Sequence, residues 1–168
     1  MQSMYSSFNR PAVAPVAPVV LRVVLGGLFV WHGIDKFDTG IGMVEAGFRM
    51  LGVPAPALAA PVVAVTEIVA GVALIVGLLT RLAAAALGVI LIGALIWAKD
   101  ILTDNGTGVL SGTPMPGYEL DLAYLAGLAA LVFIGPGPWS IDASLGLEPT
   151  ADGEVRAPGP DRGAGVVR

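Results

Sequence analysis

The sequence predicts an all-α protein, an integral membrane four-helix bundle, and three observations lead there. Hydrophobic residues make up 55% of the 168 residues and charged residues 13%, about half the charge of an ordinary soluble domain. Apolar segments of membrane-spanning length recur, and between Ile68 and Ala98 the only charged side chain is Arg81. A soluble protein of this length must show one face of most helices to water, so a stretch this apolar has no place in it. Finally, Gly, Pro and charged residues collect between the apolar segments rather than along one face of them.

The elements follow in order. Residues 1–17 are polar and then rich in Pro, Ala and Val, with Pro11, Pro15 and Pro18 spaced to hold an extended tail. The first span runs from about Val19 to Phe37. It is a retained helix rather than a secretory signal, because no basic cluster precedes it and no small-residue cleavage site follows. Ile41 to Leu51 is a short amphipathic helix carrying Glu45 and Arg49. Gly52 and Pro54 then break the chain, and Pro56 and Pro61 suit the first turn of a new helix. The second span is about Leu58 to Leu79 and the third about Leu82 to Ile101. Only Thr80 and Arg81 lie between them, so they form a tight antiparallel hairpin closed at Arg81.

Thr103 to Gly117 is a Gly/Thr/Pro loop, and the fourth span, Tyr118 to Ile134, is at the short end of the usual ~17–25 residues. After Gly135-Pro136-Gly137 the chain turns Pro/Gly-rich and charged. The domain organisation is thus an N-terminal tail at 1–17, a membrane domain at 18–142 and a disordered tail at 143–168. Four spans place both termini on one side. Arg10, Arg81, Arg156, Arg162 and Arg168, with Arg22 nearby, share that side, against Lys36, Arg49 and Lys99 on the other. This bias predicts cytoplasmic termini in a cytoplasmic-membrane protein.

Composition also excludes functions. A net charge of −4 with nine scattered basic residues offers no grip on nucleic acid. The absence of cysteine removes disulfides, thiol catalysis and cysteine-ligated clusters. One histidine and scattered carboxylates match no metal-ligand spacing. No phosphate-binding loop or nucleophile elbow is present, and Glu119 and Asp121, two apart on a helix, point away from each other. Asn105-Gly106-Thr107 matches a glycosylation sequon, a pattern that arises often by chance.

Candidate functional residues come from ionisable groups inside spans, which are costly there and face the bundle interior. Arg22 and His32 lie on the first span and Glu67 on the second. Counting inward at ~1.5 Å per residue, His32 and Glu67 sit at nearly equal depth, within reach of a pair. Arg22, lower on its helix, would have to climb toward Glu67. Lys36, one turn above His32, and Tyr124 on the fourth span belong to an outer polar layer with Asp35, Trp97, Lys99, Glu119 and Asp121. His32, Glu67, Arg22, Lys36 and Tyr124 are therefore the ligand- or proton-handling candidates. Beside this stands a structural reading. A buried polar group needs only a partner to be tolerated, and Asp35, Lys36, Lys99, Glu119 and Asp121 also suit the water boundary, with Trp97 and Tyr118 in an aromatic belt. Small residues four apart, Ala84/Gly88 and Ala123/Gly127, favour close helix packing.

The chain resembles the DoxX family of small four-helix bacterial membrane proteins. The resemblance rests on Leu21-Arg22, Leu25-Gly26, His32-Gly33 and Lys36, then Leu51-Gly52-Val53-Pro54. It continues through Glu67, Gly71, Leu74 and Gly77 to Leu78-Leu79-Thr80-Arg81, and ends on Tyr118-Glu119-Leu120-Asp121 and Gly135-Pro136-Gly137 with Ser140 and Asp142. It implies a protein of the cytoplasmic membrane, in a family linked to thiosulfate:quinone oxidoreductase and to membrane oxidoreductase complexes that handle oxidative stress. In that setting the chain is an accessory subunit of a redox assembly more than a stand-alone enzyme. No motif specifies a cofactor, and quinone is the one the resemblance brings in. The partners implied are the lipid bilayer and other membrane subunits or further copies of this chain. Two other readings stay open from the residues: a small transporter or channel lined by His32 and Glu67, and a purely structural assembly factor.

Overall fold

A computed structural model describes residues 16–98 and 118–147, and every described regular element is helical. They are α1 (Val16–Thr39), α2 (Ile41–Met50), α3 (Pro56–Val76), α4 (Thr80–Gly93), α5 (Tyr118–Ile134) and α6 (Ile141–Leu145). A single π-helical turn, Ala94–Ala98, extends α4. The N-terminal tail up to residue 15, Lys99, the outer end of the third span, the sequon and the tail from residue 148 lie outside the described residues.

Among the described residues three helices are long and apolar enough to cross a membrane: α1, α3 and α4 with its π turn. The 17-residue α5 packs on α4 and α1 and completes the four-helix bundle. The element boundaries show where local chemistry decides. Helix α1 is already formed at Val16, the first described residue, ahead of the expected Val19. Likewise α3 starts at Pro56, which leaves Pro61 inside the helix rather than in its first turn. Helix α2 ends where Gly52 turns left-handed, with Val53 N donating to Phe48 O at 2.9 Å and Gly52 N to Arg49 O at 3.2 Å.

In lipid, burying one apolar side chain against another gains little over burying it in hydrocarbon, so close packing must hold the helices. The tightest packing is between α1 and α3, the most extensive helix pair. A Cβ added at Gly26 would lie 2.5 Å from Gly71 O, and one at Gly71 would lie 2.8 Å from Gly26 O. Farther along, a Cβ at Gly33 would lie 2.8 Å from Ala64 O. The pairs 26/71 and 33/64 run in opposite directions, so the helices are antiparallel with backbones in contact. The expected small-residue pairs are looser: Gly88 has a carbon of Leu125 at 3.7 Å from its would-be Cβ, and Ala123 is exposed. Around this crossing, Leu25, Phe29, Leu74, Leu87, Leu128 and Leu131 fill the seam between all four long helices.

Candidate functional site

The close α1–α3 crossing brings Lys36 and Glu67 together. Helical side chains lean toward the N-terminus of their own helix, and that of Lys36 does so. Its Nζ donates to Glu67 Oε2 at 2.6 Å and to His32 O at 3.3 Å. The Glu67 side chain is 7% exposed and that of Lys36 20%. An ion pair so enclosed is weak evidence for added stability, because desolvating two charges offsets much of their attraction. Such a pair within a span is instead a candidate for a functional position.

The pair lies at one end of a cavity of about 420 Å³. Ala59 and Val63 of α3, Val89, Ile90, Gly93 and Ala94 of α4 and its π turn, and Phe48, Leu51 and Val53 from α2 and its loop form apolar walls. Trp97 closes part of the rim, its ring resting on Gly93, where an added Cβ would come within 3.7 Å. Single π-helical turns are frequent at functional sites, and this one carries Trp97 to the cavity. A mostly apolar cleft with one convergent polar feature is the usual form of a small-molecule site.

Of the five residues singled out from sequence, only Lys36 and Glu67 meet there. The expected His32–Glu67 pair is replaced by Lys36–Glu67. His32 stays near enough to act on Glu67 through space, but its side chain is exposed and it contributes its backbone carbonyl to Lys36. Tyr124 sits half-buried in the core against Phe29, with ring centroids 6.4 Å apart. Of the expected outer polar layer, Lys36 and Trp97 line the cavity with Glu67, and Lys99 lies outside the described residues.

Arg22 does not climb toward Glu67. It is 1% exposed at the hairpin end of the bundle, where its Nη2 donates to Trp139 O at 2.6 Å and the Asp142 carboxylate acts on it through space. Asp142 is fully buried and accepts from Leu79 N at 2.7 Å, Thr80 N at 2.9 Å and Thr80 Oγ1 at 2.8 Å. Its own N–H donates to Gly77 O at 2.9 Å. The carboxylate thus caps α4 from a distant part of the chain, where an acceptor satisfies the orphan N–H groups and meets the positive end of the helix. It also braces Leu79, held at φ 47, a left-handed conformation costing roughly 1–2 kcal/mol for a residue with a Cβ. The α3–α4 turn is therefore closed by Asp142. Sequence reasoning met this residue only within the family resemblance. Its local signal was Ser140, which caps α6 by accepting from Ala143 N at 3.0 Å.

Fold and site together define a small helical integral membrane protein with an enclosed ion pair facing an apolar cavity. The DoxX family model matches residues 17–100, and the chain belongs to the DoxX family. It is 34% identical over 146 residues to an uncharacterised membrane protein of Mycobacterium tuberculosis, covering 84% of this chain and 89% of that protein. It is 28% identical over 140 residues to the Escherichia coli inner membrane protein YphA, covering 80% of this chain and 94% of that one. Over 84 residues, half of this chain and 60% of the relative, it is 34% identical to a Bacillus subtilis protein named "Putative oxidoreductase CatD". No solved structure matches the chain.

Proposed function

We propose that this protein is a membrane subunit serving a redox assembly, and that its cavity is where it contacts a quinone. The observation that carries the reading is the Lys36–Glu67 pair at the end of an apolar cavity rimmed by Trp97. A quinone ring is flat and apolar on its faces and carries carbonyl oxygens at its edge. The walls suit the faces, and the Trp97 ring offers a stacking partner. An ammonium group has three N–H donors; Lys36 directs two at Glu67 and His32 O, which leaves a third for a quinone carbonyl. Bound quinone would supply electron and proton acceptance. Lys36 would orient the ring, and Glu67 would hold a proton beside the carbonyl. Electrons would come from a partner subunit, since this chain lacks the cysteines that would hold a cluster of its own.

The relative named as an oxidoreductase supports a redox setting. The inner membrane protein among the relatives and the arginine bias support a cytoplasmic-membrane location with termini inside. Native mass spectrometry of the full chain, released gently from its own membrane, tests the reading in one measurement. The expected spectrum shows quinone retained by the wild type and lost from Lys36→Met, together with a redox partner. A chain that emerges alone and quinone-free from its membrane refutes it.

A further inference from the structure

The strap that follows α5, Gly135 to Leu147, carries its polarity the wrong way round for water. It is tied to the hairpin end from within, by Arg22 Nη2 donating to Trp139 O at 2.6 Å and by Asp142 accepting from Leu79 N and Thr80 N at 2.7 and 2.9 Å. Its one charged side chain, Asp142, is therefore fully buried, while its large apolar ones face outward. Trp139 and Leu145 are each 63% exposed, Leu147 51% and Ile141 38%. Ile141 and Leu145, four apart in α6, share one side of that helix. A strap over a wet surface would do the reverse, since carboxylates are normally exposed and large apolar side chains covered.

Helix α3 has 21 residues, about 31 Å at ~1.5 Å per residue, which matches a hydrocarbon core of about 30 Å. Its C-terminal end thus stands at the membrane boundary, and the strap docks on Leu79 and Thr80 just beyond it. Leu79, Leu82 and Phe133, at this same end of the bundle, are exposed as well. They are the last part of the lipid-facing surface of the spans, and the outer edge of the strap continues it. Tryptophan at such a level is the usual marker of the headgroup region. We propose that residues 135–147 form an interfacial anchor whose partner is phospholipid, with Trp139, Ile141, Leu145 and Leu147 lying in the headgroup–acyl boundary of the leaflet at the hairpin end. A second protein chain is a poorer fit, because a stable contact takes about 20–30 residues from each side and this edge offers four side chains. Lipid outside and Asp142 inside then hold one short segment onto the α3–α4 turn.

The test uses the full chain in phosphatidylcholine vesicles, with Trp31→Phe and Trp97→Phe leaving Trp139 as the only tryptophan. Its emission is quenched in turn by phosphatidylcholine brominated near the headgroup end of the acyl chains, by the same lipid brominated near the methyl end, and by aqueous acrylamide. The shallow bromines should quench most and acrylamide least, placing the ring within about 5–10 Å of a boundary that is itself ~15 Å from the bilayer centre. Ile141→Asn with Leu145→Asn removes half of the apolar edge and leaves Arg22 and Asp142 untouched. That double variant should lose at least about half of the lipid quenching and gain acrylamide quenching in its place. A Trp139 quenched by acrylamide and by neither lipid faces water, and overturns the anchor. A Trp139 shielded from all three quenchers is covered by protein, a second copy in these vesicles, and overturns it equally. Unchanged lipid quenching in the double variant shows that Ile141 and Leu145 hold nothing in the bilayer, and the anchor fails on that result too.

Discussion

Replacing Asp142 with Ala tests the physical account of the hairpin end. The carboxylate is fully buried and accepts three hydrogen bonds, from two backbone N–H groups and one hydroxyl, while offsetting the buried Arg22. Hydrogen bonds to a charged group contribute about 1.5–3 kcal/mol each. They share one carboxylate and one turn, so they do not add. Arg22 feels the carboxylate only through space, its own hydrogen bond going to Trp139 O, so the loss of that attraction adds modestly. The loss of the α4 cap, itself worth about 0.5–2 kcal/mol, falls within the same event. The expected destabilisation is therefore about 1.5–3 kcal/mol, the contribution of charged hydrogen bonds lost as one event. Reversible unfolding in mixed micelles by rising dodecyl sulfate content measures it. Combined with Arg22→Met, the cycle should show a coupling of at least about 1 kcal/mol, as groups in one network do. A single-variant loss under about 1 kcal/mol, the size of one ordinary neutral hydrogen bond, or strict additivity with Arg22→Met, would refute the reasoning.

Adjacent glycines in α1 should behave oppositely in the same unfolding assay. Gly26→Ala places a Cβ against Gly71 O and should cost about 1–3 kcal/mol, whereas Gly27→Ala meets nothing within 4 Å and should be neutral or stabilising by up to about 1 kcal/mol. Gly77→Ala should destabilise at least as much as Gly26→Ala, because Gly77 holds a left-handed φ of 72° and its Cβ would strike Nη1 of Arg22. Lys36→Met strands Glu67 and should cost about 3–5 kcal/mol, while Lys36→Met with Glu67→Leu should recover most of it, since an apolar pair of similar volume replaces a buried ion pair at little cost. If the double variant proved as unstable as the single, the pair would be more than a tolerated polar contact.

How much could be read from the chain varies by level. Spans and breaks were legible because they are local: apolar runs, and Gly52, Pro54 and Gly135 between them, act within a few residues. The position of Glu67 along its span was legible too, because helical rise is fixed. Its partner was not. His32 and Lys36 differ by one turn, and which faces α3 depends on how α1 is rotated about its axis. Gly26 and Gly33 set that rotation, yet a glycine signals close approach only once its opposing backbone is known. The direction taken by Arg22 was misjudged for a related reason. Its acceptor, Trp139 O, belongs to a backbone more than a hundred positions away, and no pattern announces such a contact.

The membrane bundle was therefore settled by the chain alone, as was the presence of a few costly charges inside it. Both follow from composition and from periodicities that hold for any isolated helix. The choice of Lys36 over His32 for Glu67, the closing of the α3–α4 turn by Asp142 and the cavity beside Trp97 were decided only by tertiary structure. Each is a meeting of residues remote in sequence, fixed by how closely the α1 and α3 backbones can approach.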